Sequence, residues 1–501
     1  MLTKKRRLLI LAFALASASV ALEPWLNAQQ QPVAFVDVTV VPMDKEQLLP
    51  HQTVLVAGGR IAQVGPSASI KPPRAALKID GMGKFLMPGL ADMHVHFIRP
   101  ALEVQFPPSP SSEPSVRTFM AASASAEHER ENQAFGLLFV ANGVTTVRNM
   151  WGHPGINAFA REVDSGRVLG PHIYSVGNIT DGNPPFWEGS RAVDTQSQAE
   201  AAVKDDKAAG YVALKVYNRL SLDTYNWLVS AATAQGLPVV GHVPYAVGLR
   251  RVIAARQYSI EHLEGFWEAL QPDESVASIA PWHTLVENAD FKKLPPIVES
   301  IRIAGIWNCP TLVLNQVLPD DAEWQRRNAL VPPDIPARYR KMYPDWNPDA
   351  ALTLRAYQQS ISMTHALHEG GTRLLLGTDS YKPTVLPGFA LHQELQSFVE
   401  AGLSPYEAIR AGTADAAIFL HQENEFGIVA AGQRADLLLL EGNPLQDVRN
   451  VSKRAGVMVN GHWFREAELQ HRLVDLRNSY QHNSEVAKKR ATSAAKPDNS
   501  R

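Results

Sequence analysis

The residues most able to do chemistry begin with a histidine pair, His94-Val95-His96, which ends an apolar segment that contains Pro88-Gly89. Side chains alternate between the two faces of a β-strand, so His94 and His96 point to the same side if this segment is a strand. Two imidazoles on one face can bind a single divalent cation. The same spacing also arises by chance on surfaces and in cores. The pair therefore becomes informative only together with residues further along the chain.

Four more polar residues lie at or near the ends of apolar segments downstream. They are Lys215 in Ala-Leu-Lys-Val-Tyr, His242 in Val-Val-Gly-His-Val-Pro, His262 in Ser-Ile-Glu-His-Leu-Glu-Gly and Asp379 in Leu-Leu-Leu-Gly-Thr-Asp-Ser. Each has a plainer alternative: His242 and His262 as hydrogen-bonded core histidines, Asp379 as a helix N-cap, and Lys215 as the partner of a carboxylate such as Glu261. These alternatives explain single residues but not their recurrence at the same end of separate segments.

The elements that would position these residues alternate along the middle of the chain. Ala-rich stretches at 196–209, 222–236 and 246–256 are predicted to be helices. Strands are predicted at 87–96, Val144–Arg148, Ile173–Val176, Val212–Val216, Val239–His242, Ser259–His262, Ile306–Leu312 and Leu374–Asp379. Eight strands separated by helices indicate an α/β fold of the (β/α)8 TIM-like barrel type, in which active sites lie at the carboxyl ends of the strands. The six polar residues would then meet on one rim, below loops 98–130 and 313–350.

Short β-rich segments flank this middle region. Val33–Pro42 and Thr53–Val64 precede it, the second interrupted by Gly58-Gly59 in a hairpin-like position, and similar segments return near 435–440 and 457–461. We therefore predict a small β-sandwich domain formed by both termini, 32–86 plus 425–465, around a barrel at 87–424. The polar, aromatic-free segment 485–501 is predicted to be disordered.

The N-terminus and the composition bear on location and partners. Lys4–Arg7 followed by the apolar run Leu8–Ala21 is typical of a signal peptide, 1–21, so we expect an exported protein, periplasmic or extracellular, with no membrane attachment once the segment is removed. The net charge of −2 among 501 residues gives no argument for binding nucleic acid. Cys309 is the only cysteine, which excludes an internal disulfide and fits a buried core residue.

Taken with its flanking text, this set of residues resembles the amidohydrolase superfamily, in the group of imidazolonepropionase-like enzymes and metal-dependent prolidase-like dipeptidases. The resemblance covers about residues 32 to 465. It rests on Met87-Pro88-Gly89-Leu90 before the histidine pair, Asn142-Gly143-Val144-Thr145-Thr146-Val147-Arg148, Ala435-Asp436-Leu437 and Asn443-Pro444-Leu445. Two departures concern the substrate: no glycine-rich segment follows Lys215, and Asn149 stands after Arg148 where relatives often have aspartate.

The resemblance implies two divalent metal ions, with zinc as the first expectation and manganese, cobalt or iron as alternatives. It assigns His94, His96 and Asp379 to one ion and His242 and His262 to the other, with Lys215 carboxylated as the bridge. Two such ions about 3.5–4 Å apart can share a hydroxide and polarise a carbonyl. Asp379 would act as general base and then general acid.

The predicted function is an exported hydrolase of a C–N amide bond in a small molecule, with a dipeptide or an N-acyl amino acid as substrate. Two alternatives stay open: a mononuclear cyclic amide or imidazolone hydrolase, and a catalytically inert exported binding protein. Tyr217 and Arg148 are candidate substrate contacts, Arg148 for a substrate carboxylate. Self-association into a homo-oligomer also stays open.

Overall fold

The computed structural model describes residues 31–97, 129–187, 189–273, 280–316, 322–332, 349–382 and 384–494. The predicted signal peptide and most of the two predicted loops, 98–130 and 313–350, lie outside these ranges. Within the described ranges, no helix is both long enough and apolar enough to span a membrane.

One sheet of eight strands joins the two ends of the described chain. Its order is β18-β17-β16-β5-β1-β2-β3, with β4 beside β1. The strands are β1 (Val33–Val40), β2 (Leu49–Ala57), β3 (Arg60–Pro66), β4 (Leu77–Asp80), β5 (Phe85–Pro88), β16 (Leu437–Leu440), β17 (Arg454–Val459) and β18 (His462–Arg465). The strand β5 links the two halves, because it runs antiparallel to β16 and parallel to β1. The two predicted β-rich segments therefore share one mixed sheet.

The remaining strands are parallel and fall into two sheets, of order β6-β7-β8 and β10-β9-β11-β12-β13-β14-β15. They are β6 (Leu90–Val95), β7 (Val144–Asn149), β8 (His172–Ser175), β9 (Ile179–Asp181), β10 (Arg191–Ala192), β11 (Leu214–Val216), β12 (Val239–Gly241), β13 (Ser259–Glu261), β14 (Trp307–Cys309) and β15 (Arg373–Leu374). Parallel strands connected through helices confirm the predicted α/β class.

Backbone hydrogen bonds connect the two parallel sheets at both of their edges. At one edge, Met93 N donates to Leu376 O over 2.9 Å and Asp379 N donates to His94 O over 2.7 Å. At the other edge, Val212 N donates to Ser175 O over 2.9 Å. The segment that ends in Asp379 therefore runs directly beside the strand that carries the histidine pair.

Helices lie between the parallel strands and after the last of them. They span 129–141, Pro154–Asp164, Gln196–Ala208, Leu222–Ala234, Leu249–Ala254, Phe266–Ala269, Trp282–Glu287, Leu294–Ala304, Ala322–Asn328, Ala350–Glu369, Phe389–Glu400, Pro405–Ala411, Ala414–Phe419 and Glu466–Ala494. The helix that starts at Gln196 shows why these boundaries are sharp: Thr195 and Gln198 form a reciprocal capping box.

The structure differs from the sequence prediction at three places. The last strand is shorter than Leu374–Asp379, because Leu376 and Asp379 bond to β6 instead of continuing the ladder with β14. The seventh predicted strand, Ile306–Leu312, ends at Cys309, since Pro310 has no N–H to donate. The predicted disordered tail is helical as far as Ala494, in keeping with the helix-favouring Ala, Glu and Lys of that segment.

Candidate metal centre

The six predicted ligands all occupy the carboxyl ends of parallel strands. The structure places His94 in β6 with His96 just beyond it, Lys215 in β11, His242 directly after β12, His262 directly after β13, and Asp379 after β15. Because parallel strands end at the same edge, their terminal side chains come together.

The rings of the predicted histidine ligands and the carboxylate of Asp379 lie close together. The ring centroids of His94 are 4.4 Å from His262 and 5.3 Å from His96, and those of His242 and His262 are 4.9 Å apart. Asp379 Oδ1 is 2.9 Å from His96 Nε2 and 3.5 Å from His94 Nε2. Nitrogen and oxygen ligands of one tetrahedral zinc ion are separated by roughly 3.4 Å, a spacing that follows from bond lengths near 2.1 Å. These separations therefore fit donors that face a common cation.

Hydrogen bonding supports the same interpretation. Glu261 Oε2 is 2.9 Å from His94 Nδ1, and Thr311 Oγ1 is 2.7 Å from His262 Nδ1. Each partner holds one ring nitrogen and leaves Nε2 to face the site, as the outer partners of metal-binding histidines do. Among the described residues, His94 Nε2 and His96 Nδ1 are buried with no hydrogen-bond partner. One ligand atom each from His94, His262 and Asp379 can be chosen so that all lie within 4.8 Å of one another. The residues present therefore fit a divalent metal ion.

Burial sets the charge state of the donors. It lowers the pKa of His94 and His262 well below the usual imidazole range, so both rings are neutral and keep a lone pair for a metal. It also lowers the pKa of Lys215 to about 8, which favours the neutral amine that carboxylation requires. Burial by itself would raise the pKa of Asp379, but Lys382 and the nearby histidines hold that pKa well below its usual range.

Two of the predicted ligands, His262 and Asp379, have left-handed backbone conformations. The φ angles are 60° at His262 and 59° at Asp379, and Asp379 N donates to His94 O over 2.7 Å. Residues other than glycine adopt such angles at an energetic cost and cluster at functional sites. The turn at Asp379 directs its carboxylate toward the histidine pair of β6.

Arg148 does not occupy the position that the sequence suggested. Its side chain is fully buried, and its NH2 group donates to both oxygens of Glu261 over 2.9 and 2.8 Å. Its remaining groups donate to Met93 O and to Ser259 Oγ. These four hydrogen bonds lie inside the fold and the side chain is closed to solvent, so the predicted contact with a substrate carboxylate does not fit this placement. Ser259 and Glu261, the partners of Arg148, were not predicted from the sequence. The pattern that could have indicated them is the placement of two polar residues on the same face of a buried strand.

Tyr217 lies beside the predicted ligand His242. Its ring centroid is 4.0 Å from that of His242, and its hydroxyl accepts a hydrogen bond of 2.7 Å from Trp187 Nε1. Lys215 Nζ is 5.7 Å from the centre of the Tyr217 ring, so this buried lysine also lies near Tyr217. Tyr217 is therefore close to the predicted ligands, on a wall that also includes Phe186.

Residues 85–464 match the model of the amidohydrolase family. The chain belongs to the amidohydrolase family. The predicted resemblance to that superfamily, including its prolidase-like group, is thereby confirmed. This amidohydrolase is an enzyme, a hydrolase that acts on carbon–nitrogen bonds.

Individual relatives agree with this assignment. An ochratoxinase from Aspergillus niger is 25% identical over 478 residues, which cover 85% of this amidohydrolase and 86% of the relative. A crystal structure of a Bifidobacterium longum protein assigned as a prolidase superposes with a TM-score of 0.62 at 25% identity, over 89% of this chain and 99% of that one. A bottromycin amidohydrolase gives a TM-score of 0.65 at 25% identity, over 89% and 90% of the two chains.

Proposed function

We propose that this amidohydrolase is an exported, metal-dependent enzyme that hydrolyses the amide bond of a dipeptide or an N-acyl amino acid. The observation that carries the proposal is the meeting of His94, His262 and Asp379, with ligand atoms within 4.8 Å of one another, at the ends of three separate strand segments. The bonds that join Met93 to Leu376 and His94 to Asp379 support a closed (β/α)8 barrel over 87–424. The single mixed sheet supports one small β domain formed by 32–86 and 425–465, for which the β-sandwich stays a proposal.

The donors suit two divalent ions, with zinc favoured by the imidazole and carboxylate ligands. In the proposed arrangement His94, His96 and Asp379 would hold one ion, His242 and His262 would hold the other, and a carboxylated Lys215 would be a ligand of both. Bound there, the ions would supply Lewis-acid polarisation of the substrate carbonyl and a nucleophile at neutral pH. The low pKa values of the buried histidines suit this role, because each ligand must be deprotonated to bind.

The residues of the chain supply orientation and proton transfer. Glu261 accepts from His94 Nδ1–H and thereby directs Nε2 into the site, while Thr311 does the same for His262. Asp379 would take the proton of the attacking water and deliver it to the leaving nitrogen. The leaving group departs as an amine, and the acyl part departs as a carboxylic acid.

The substrate class is supported by the activities after which the relatives are named. Ochratoxinase, a protein assigned as a prolidase and bottromycin amidohydrolase each match over most of their length. Export is supported by Lys4–Arg7 and the apolar run Leu8–Ala21. The proposed partners are limited to the small-molecule amide, with no nucleic acid and no membrane, and with homo-oligomerisation left open.

The proposal is tested by metal content and turnover together. Protein purified without chelator is analysed for metal, then screened with Zn²⁺ against dipeptides and N-acyl amino acids, with amine release as the readout. We expect close to two metal equivalents per chain and turnover that a chelator abolishes. A stable maximum of one equivalent under metal supplementation would favour the mononuclear cyclic amide hydrolase. No turnover of any dipeptide or N-acyl amino acid, in protein with its full metal content, would contradict the proposed substrate class.

A further inference from the structure

A lysine at the edge of the metal centre belongs to no predicted ligand set. Lys382 follows Asp379 by three residues, and its Nζ lies 2.5 Å from Asp379 Oδ2. The Lys382 side chain is 29% exposed, whereas the Asp379 side chain is 7% exposed. The backbone of Lys382 is fixed by a pair of hydrogen bonds with Val385, of 3.3 and 2.9 Å. Lys382 therefore presents a cation to the site from a position that solvent, and hence a substrate, can reach.

Two other basic residues in the described part of the site, Arg148 and Lys215, are closed to solvent. Arg148 is fully buried and donates two hydrogen bonds to Glu261. Lys215 is 1% exposed, and the proposed function uses it as a ligand. A substrate anion that approached the rim would therefore meet Lys382, and neither Arg148 nor Lys215 could pair with it without rearrangement.

The charges around Lys382 favour an anionic partner once the centre is complete. With Asp379 shared with a metal ion, the ammonium of Lys382 would keep only part of its counter-charge. A second carboxylate beside it would restore that pairing and form a charge-assisted hydrogen bond. Two other acids near the predicted ligands already have partners: Glu261 pairs with Arg148, and Glu264 lies 3.3 Å from His242.

We propose that Lys382 binds the free carboxylate of the substrate's leaving amino acid. This inference rests on the proposed function and narrows it. The enzyme would select amides whose scissile nitrogen belongs to an amino acid with a free carboxylate, and would discriminate against otherwise identical amides of simple amines. Lys382 is thus a specificity-determining residue, which contacts a part of the substrate that does not react.

The test compares substrates that differ only in the carboxylate. N-acetyl-L-phenylalanine, N-acetyl-L-leucine and N-acetyl-L-methionine are each paired with the N-acetyl amine that lacks the carboxylate. Rates are measured for the metal-loaded wild-type enzyme, Lys382→Met and Lys382→Arg. Lys204→Met is the matched control, since Lys204 is an exposed lysine on the helix Gln196–Ala208. Metal content and melting temperature of each variant show whether fold and centre are intact.

We expect the wild-type enzyme to prefer the carboxylates, and Lys382→Met to lose about 10- to 100-fold in kcat/KM on them, mostly through KM. The same variant should lose at least tenfold less on the decarboxylated amides than on the carboxylates, because on these amides it changes only the ion pair with Asp379. Lys382→Arg should retain much of the preference, and Lys204→Met all of it. An equal loss on both members of each pair, or a loss of metal from Lys382→Met, would overturn the inference.

The two proposals fail in different ways. If the wild-type enzyme cleaves both members of each pair equally well, the amide hydrolase stands and the role of Lys382 falls. If it cleaves neither member of any pair, N-acyl amino acids fall as the proposed substrates, and the inference drawn on them falls as well.

Discussion

At the scale of single residues, the buried pair of Arg148 and Glu261 explains how a charged group can serve a metal centre without touching it. Glu261 is fully buried and accepts from both Arg148 and His94. A buried charge that loses its partner costs about 3–5 kcal/mol of stability. Separating the two residues would leave a buried charge without a partner, so the pair stays together. Its position orients the imidazole of His94.

Replacing the buried carboxylate tests this positioning role. Glu261→Gln keeps the shape but leaves Arg148 without its counter-charge, so we expect a lower melting temperature and a metal affinity reduced about 10- to 100-fold. Titration of the metal-free protein with Zn²⁺ measures the affinity. The control is Glu299→Gln, which breaks an exposed pair with Arg302 on a helix. Unchanged zinc affinity in Glu261→Gln would show that His94 orients without it.

The proposed function assigns proton transfer to one carboxylate, that of Asp379. Asp379→Asn should keep the fold and much of the metal, because the amide nearly matches the carboxylate in shape. It cannot accept a proton at neutral pH, so turnover should fall by roughly 10²–10⁴-fold. Activity assays with metal analysis on the same samples measure this. A variant that keeps more than about a tenth of wild-type activity, well outside that range, would place the proton transfer elsewhere.

Lys215 has to change chemically before it can bridge two cations. An ammonium beside two dications is strongly repelled, whereas a carbamate offers an oxygen to each. Lys215→Ala should lose activity and the second metal equivalent, and formate, acetate or propionate should restore part of both. Lys215→Arg should not respond to these acids, because it keeps the positive charge. Full activity of Lys215→Ala without added acid would contradict the bridging role.

At the scale of elements, a helix positions a loop that in turn positions a ligand. Glu394, on the helix Phe389–Glu400, accepts from Leu312 N over 2.8 Å and from Val313 N over 2.9 Å. These residues begin the short 3-10 helix Leu312–Asn315. The preceding residue, Thr311, bonds to His262.

The pH dependence of stability should report on Glu394. Burial raises the pKa of Glu394 to about 8, although the two N–H donors oppose the shift. An unfolded glutamate releases its proton near pH ~4.3, so the folded state binds more protons from there up to about pH 8. This group's contribution to stability should therefore fall as pH rises across that window, by at most roughly 1.4 kcal/mol per pH unit. Melting temperatures from pH 5 to 9 should decline for the wild-type enzyme relative to Glu394→Gln, and parallel curves would contradict the assignment.

The sequence predicts elements better than it predicts what holds them in place. The sequence pattern locates β7, β11, β12 and β13 to within one or two residues. It misses β9 and β10, which have two or three residues and no periodic pattern. The approach of the ligands follows from parallel strand ends, but the pairing of Arg148 with Glu261 depends on tertiary contacts between β7 and β13 that no local pattern encodes.

At the scale of the whole molecule, the candidate centre spans both parallel sheets. His94 belongs to the sheet of β6, whereas Lys215, His242 and His262 belong to the strands from β11 to β13. Metal ions held between them would add a link to the backbone bonds, the pairing of Arg148 with Glu261 and the apolar packing that already join these sheets.

Removal of metal should therefore lower the stability of the fold as well as activity. A ligand that binds only the folded state stabilises it by about 2.7 kcal/mol at one hundred times its dissociation constant. We expect a chelator to lower the melting temperature by several degrees, and Zn²⁺ to restore it. A melting temperature unchanged by chelation, in protein shown to have lost its metal, would mean that the centre adds nothing to the joining of the sheets.

The mixed sheet has a consequence for the order in which the enzyme can be made. The strand β5 directly precedes β6, which carries His94. It pairs with β16, which is synthesised only after all six predicted ligands. Lys84 and Glu441, which form an ion pair across this junction, are 357 residues apart. Contacts between such distant residues form late and slowly. A nascent chain would thus carry all six predicted ligands while β5 was paired with β1 but still lacked its antiparallel partner, and a chain that stopped before Leu437 would never supply that partner.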